Sequence, residues 1–183
     1  MSGRKPIAIL FTGLPSSGKS TLALALKDKI STVDKRPTII LDSDQTKEIL
    51  ARELGYSKEE RGEKLLRIVY VASLLMQAGA IVICPVIAPY EEHRLEARQQ
   101  LEKEGHYCEI YLSTPLTICK QRDVKGLYHK AKIGLIEHFT GVDDPYFPPK
   151  NPDLVLDTSK QSLESACNQI IQFLVRKGIL VLE

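Results

Sequence analysis

The feature that most constrains this chain is the stretch Gly13-Leu14-Pro15-Ser16-Ser17-Gly18-Lys19-Ser20. It matches G-x-x-x-x-G-K-[ST] at every fixed position. It also stands between an apolar run, Ile7–Thr12, and a segment with apolar residues at helical spacing (Leu22, Ala25, Leu26, Ile30). A loop of this kind curls so that successive backbone N–H groups face phosphate oxygens, and the positive end of the following helix reinforces them. Lys19 is placed to reach the β- and γ-phosphates of a nucleotide, and the Ser20 hydroxyl to ligate Mg²⁺. The chain therefore reads as a phosphotransferase.

Further strands are predicted at Thr38–Leu41, Ala80–Cys84, Tyr107–Leu112 and Leu154–Leu156. Helices are predicted at Ser20–Ile30, Thr46–Leu54, Ser57–Ala78, Glu91–Glu104, Pro115–Gln121 and Leu163–Lys177. Ser57 and Glu60 form a capping-box pattern, and Gly79 is placed as a C-cap. The strands are short, continuous apolar runs alternating with helices. That predicts a P-loop-type α/β sandwich of three layers, a mostly parallel sheet covered by helices on both faces. Residues 123–152 are rich in Gly, Pro and aromatics and read as a long functional loop or lid rather than core. No repeat or linker interrupts residues 1–183, which are read as one domain.

The net charge of +2 is too small to point to nucleic acid or an anionic membrane as partner. Cys84, Cys108, Cys119 and Cys167 are widely spaced, without a C-x-x-C pair. With no signal peptide and no apolar run of about 18 residues, they read as reduced thiols of a cytoplasmic protein.

Asp42 and Asp44 fall where the second strand ends, the edge at which ligands gather in a parallel sheet. Two carboxylates beside a phosphate loop could bind Mg²⁺ through water, and one could take a proton from an attacking hydroxyl. One of them could instead cap the next helix, and Asp44 is well placed for that. At least one is read as functional, with Asp44 as base and Asp42 on the metal.

Two runs go further: Lys125-Gly126-Leu127-Tyr128-His129-Lys130-Ala131 and Phe139-Thr140-Gly141-Val142-Asp143-Asp144-Pro145-Tyr146. Together with Gly13–Thr21, Leu41–Asp44, Ile87–Tyr90 and Asn151–Thr158 they resemble the adenylylsulfate kinase family over nearly the whole chain. The resemblance implies transfer of the γ-phosphate of MgATP to the 3′-hydroxyl of adenosine 5′-phosphosulfate (APS), giving PAPS, and often a homodimer. It implies that Gly13 to Ser20, with Thr21, hold the ATP phosphates, and that Arg122 lies near the ATP base. It places Asp44 by the attacking hydroxyl and Arg61 on the anionic nucleotide. Tyr56 and Phe139 would sandwich the substrate adenine, Ile87 would line the same pocket, and Lys125 would belong to the closing lid.

The acceptor half of the pattern is altered. Lys47 stands for a usual Arg, Lys64 for Asn, Ala88 for Ser, and Glu91 for Arg. In the lid, Leu135, Glu137 and His138 replace Glu, Lys and Gly. Lys keeps a charge but lacks the planar fork of Arg, and it can only donate where Asn also accepts. The expectation is an APS kinase with a rebuilt pocket. The alternatives are a kinase of another nucleotide-like acceptor and a non-catalytic nucleotide-binding domain. Against the last stand Lys19, Ser20 and both aspartates, all retained. His93, His106, His129 and His138 show no ligand spacing.

Overall fold

The computed structural model describes residues 4–181. Along the chain run β1 (Ile7–Gly13), α1 (Lys19–Val33), β2 (Thr38–Ile40), α2 (Ser43–Leu50), α3 (Lys58–Gln77) and β3 (Ile81–Pro85). They are followed by α4 (Glu91–Leu101), β4 (His106–Leu112), α5 (Leu116–Arg122), α6 (Leu127–Lys132), β5 (Leu154–Leu156) and α7 (Leu163–Arg176). The five strands form one sheet in the order β2-β3-β1-β4-β5, and every pairing is parallel.

Strand alternation sorts the central strand into two cores. Ile7, Ile9 and Phe11 of β1 pack with Leu22, Leu26 and Ile30 of α1 and with Ile170 and Leu174 of α7. Ala8 and Leu10 face the other way, onto Leu65, Ile68, Val69 and Met76 of α3 and Ala97 and Leu101 of α4. Both faces are dry, which is why β1 is a continuous apolar run. Each fully buried Leu or Ile here contributes about 1.5–3 kcal/mol relative to exposure. Among the described residues no helix is long and apolar enough to cross a membrane. The four cysteines are buried free thiols, and burial pushes Cys84 and Cys108 up to about 12, which leaves them unreactive.

Two expectations change. The helix after β2 begins at Ser43 rather than Thr46, because its cap is Asp42 and not Asp44: the Asp44 N–H donates to Asp42 Oδ1 at 2.8 Å. The capping box of α3 forms as predicted, with Glu60 N donating to Ser57 Oγ and Ser57 N to Glu60 Oε2. The segment 123–152 is also not core-free. It carries α6, and its Tyr128, Ala131 and Phe139 form a small buried cluster with Cys119 of α5, with Leu14 packed against it. The Tyr128 hydroxyl donates to Pro15 O at 3.0 Å, so this segment rests directly on the phosphate loop.

Candidate active site

The loop after β1 runs over the carboxyl end of the sheet and delivers Lys19 as the first residue of α1. Two glycines make the path. A side chain at Gly13 would meet Leu112 O at 2.8 Å, and Gly18, the cap of α1, has φ 100. Lys19 Nζ turns into the loop and donates to Leu14 O at 2.7 Å and Gly13 O at 3.0 Å. Burial lowers its pKa to about 8, against the opposing field of Asp44 and Asp42. The Ser20 hydroxyl donates to Asp42 Oδ2 at 2.6 Å. The helix-capping carboxylate is therefore also the one joined to the loop serine.

This loop borders a cavity of about 410 Å³. Pro15, Ser16, Gly18, Lys19, Ser20 and Thr21 line it, as do Asp42, Asp44 and Arg122. Gly13, Leu14 and Ser17 do not line it. They serve from behind, with Gly13 and Leu14 offering carbonyls to Lys19 and the Ser17 carbonyl accepting from Thr158 Oγ1 at 2.8 Å. Arg122 is fixed by Thr158 as well, donating to its Oγ1 at 2.7 Å and its carbonyl at 2.9 Å.

A second cavity of about 180 Å³ lies beside the first. Lys47 of α2, Tyr56, and Arg61 and Lys64 of α3 form one wall, with Ile87 and Ala88 behind β3 and Phe139 opposite. Three cations surround the Tyr56 ring: Lys64, Lys47 and Arg61 lie 5.2, 5.4 and 5.5 Å from its centroid. Lys47 Nζ also donates to the Tyr56 hydroxyl at 3.2 Å. Burial, and then the neighbouring Lys47 charge, lower the pKa of Lys64. Arg61 is tied into the protein more tightly than its sequence position suggested. It donates to Tyr56 O, Thr140 Oγ1, His138 O and Asp144 Oδ2 at 2.5–3.0 Å. It thereby clamps the 138–144 turn onto α3.

The two cavities share Ser43, Asp44, Ile87, Leu127 and Phe139. Asp44 thus stands on the boundary between them, where Lys125 Nζ meets its Oδ2 at 2.5 Å. Phe139 is 9% exposed and packs edge-on against Tyr128 at 5.0 Å, so it belongs both to the small cluster and to both cavities.

Of the substituted positions, Ala88 and His138 line the second cavity, whereas Glu91, Leu135 and Glu137 do not. Glu91 turns inward to pair with the buried Arg94, which explains a charge reversal that had looked like a change to the pocket. His138 has φ 57, a conformation natural to Gly, and its ring nitrogen lies 3.3 Å from Asp144. Sequence reasoning missed Thr158 and Thr140 as working residues, although both lie in runs it had singled out. Val124, Leu163 and Ala166 of the first cavity carried no signal. α7 reaches that cavity only because it packs on α1.

The adenylylsulphate kinase family model matches residues 5–157. An adenylyl-sulfate kinase of Synechococcus sp. (strain JA-3-3Ab) is 42% identical over 178 residues, covering 97% of this chain and 99% of that protein. One from Pseudomonas entomophila is 44% identical over 180 residues, covering 98% of this chain and 86% of that protein. The structure of the Mycobacterium tuberculosis APS kinase CysC in complex with AMPPNP and APS superposes with a TM-score of 0.89 at 39% identity, covering 93% of this chain and 98% of that one. A helix-capping aspartate joined to a phosphate-loop serine, the segment 123–152 resting on that loop and full-length similarity of this order agree: the chain belongs to the adenylylsulphate kinase family.

Proposed function

We propose that this protein is an APS kinase, transferring the γ-phosphoryl group of ATP to the 3′-hydroxyl of APS to give PAPS and ADP. The observation that carries the reading is the pair of adjoining cavities with Asp44 on their common wall. A donor nucleotide in the larger cavity and an acceptor nucleotide in the smaller would direct their reacting ends at that carboxylate. Likeness to a kinase solved with both an ATP analogue and APS supports it.

The transfer breaks the bond between the γ-phosphorus and the ADP oxygen and forms one to the 3′ oxygen, with the hydroxyl proton leaving to Asp44. Lys19 leaves the loop carbonyls for the phosphates, and the N–H groups of the loop and of the α1 N-terminus hold the phosphate oxygens. Ser20 and Asp42 supply a hydroxyl and a carboxylate oxygen 2.6 Å apart on the cavity wall, a donor set that suits Mg²⁺, which keeps most of its shell for water and phosphate. When bound, the ion neutralises charge on the transferring group. Arg122, held by Thr158, lies at the base end of the donor cavity. In the acceptor cavity Tyr56 and Phe139 offer flat faces to adenine. Lys47, Lys64 and Arg61 supply the positive charge of that cavity toward an anionic nucleotide, while Ile87 and Ala88 shape the wall. Segment 123–152 is the lid, with Lys125 drawn toward Asp44, and its closure keeps water from the γ-phosphate.

The test is ADP release measured with APS and with a panel of other nucleotides as acceptors. Turnover with APS above all others is expected. No turnover with APS, alongside turnover with another acceptor, overturns the assignment.

A further inference from the structure

One residue that lines neither cavity grips the backbone of the acceptor wall. Arg94, on α4, is 1% exposed. Its Nη1 donates to Ala88 O at 2.6 Å and its Nη2 to Phe147 O at 2.9 Å. The Phe147 N–H donates to Pro89 O at 3.0 Å. The planar fork and this bond together staple the segment leaving β3 to the segment that closes the lid region. Thr12 continues the staple, since its hydroxyl donates to Ile87 O at 2.7 Å and meets Tyr146 OH at 2.9 Å.

The grip falls on strained backbone. Ala88 has φ 43, a region an alanine occupies only when its surroundings hold it there. Ala88 also lines the acceptor cavity, so the held conformation is part of the cavity's shape. A buried guanidinium carries a large desolvation cost. Here Glu91 pairs with Nη2, and Glu109 lies 3.9 Å from Nε. Nε itself has no hydrogen-bond partner. Apolar packing could replace such a charged cluster as a whole at little cost in stability, whereas removing the guanidinium alone strands Glu109 and two carbonyls. What only the fork supplies is the simultaneous placement of two carbonyls.

We infer that Arg94 is a positioning residue for the acceptor: it holds Ala88, which lines only the smaller cavity, in the conformation that shapes that cavity, and leaves the phosphate loop alone. The inference rests on the reading of the smaller cavity as the APS site.

The experiment is steady-state kinetics on Arg94→Met with each substrate varied. The KM for APS should rise about tenfold or more and the KM for ATP stay within about twofold. Adding Ala88→Gly should recover most of the loss, because glycine takes a φ of 43 unaided. Arg94→Lys keeps the charge but reaches one carbonyl at a time, so it should fall between; it carries the test if the Met variant does not fold. Hydrogen exchange supplies a readout independent of the acceptor. Peptides covering 85–90 and 145–148 should lose protection in the variant while 13–20 keeps it. The inference is overturned if both KM values rise together, if neither moves and exchange is unchanged, or if Ala88→Gly restores nothing. A wild-type enzyme that ignores APS but uses another acceptor would sink the APS assignment instead. The KM for that acceptor and the exchange data would then decide on Arg94.

Discussion

The donor and acceptor halves of this site are built on different principles. The donor half is one contiguous loop whose working groups are largely backbone, backed by a buried core. Ser17 is fully buried and Lys19 is 8% exposed. The acceptor half is assembled from side chains on α2, α3 and the lid region, and Tyr56 is 43% exposed. A backbone cradle tolerates change at its variable positions but none at its glycines or its lysine. A side-chain pocket can be rebuilt one residue at a time. The substitutions Lys47, Lys64, Ala88 and His138 all fall in the second half, and none falls in the phosphate loop.

The largest effect should come from the donor half. Lys19→Ala removes the phosphate loop's own cation and should lower kcat/KM about 10²–10³-fold or more. Near-full activity would mean that the loop is not the donor site. At the boundary, Asp44→Asn should reduce kcat about 10²-fold with the ATP dissociation constant unchanged. An equal loss of ATP affinity would reassign Asp44 to the metal.

In the acceptor half, Lys64→Asn should change the KM for APS by about tenfold and leave that for ATP alone, since Lys64 lines only the smaller cavity. Equal movement of both constants would break the division of the site into halves. A pH titration of ATP binding probes the donor side again. With its pKa lowered to about 8 by burial, Lys19 is charged below that pH and neutral above it. Phosphate binds the charged form, so affinity should be level below pH 8 and fall by up to about tenfold per unit above it. Affinity rising above pH 8 would contradict that sign.

The smallest effect is on stability. His138→Gly removes a side chain from a left-handed backbone at the expense of an exposed pairing with Asp144, and should raise stability by about 0.5–1 kcal/mol, or Tm by about 2 °C. A lower Tm in a thermal melt would mean that the pairing outweighs the backbone.

Much of the scaffold was legible because local rules govern it. The apolar run of β1 and the i, i+4 pattern of α1 placed the loop between them without tertiary information. The capping box of α3 was readable as Ser57 and Glu60. The start of α2 was misread because either aspartate could serve as its cap. The choice fell to Asp42 once β2 and α1 set that carboxylate beside Ser20. Glu91 was misread for a related reason. Sequence gives its charge, but only the packing of α4 against β4 reveals a buried guanidinium for it to neutralise. Arg61 was found as a site residue, yet its commitment to Thr140 and Asp144 depends on a turn about eighty positions away.

By itself, then, the sequence determined a phosphate loop at the end of a buried strand and an α/β alternation around it. Those depend on side-chain period, glycine and capping chemistry, all set by residues a few positions apart. Only the tertiary structure decided the strand order, the meeting of two cavities at Asp44, the three cations around Tyr56 and the grip of Arg94 on Ala88. The first two join segments distant in sequence, while the cations around Tyr56 and the grip of Arg94 on Ala88 join residues only a few positions apart whose turns are set by the packing around them.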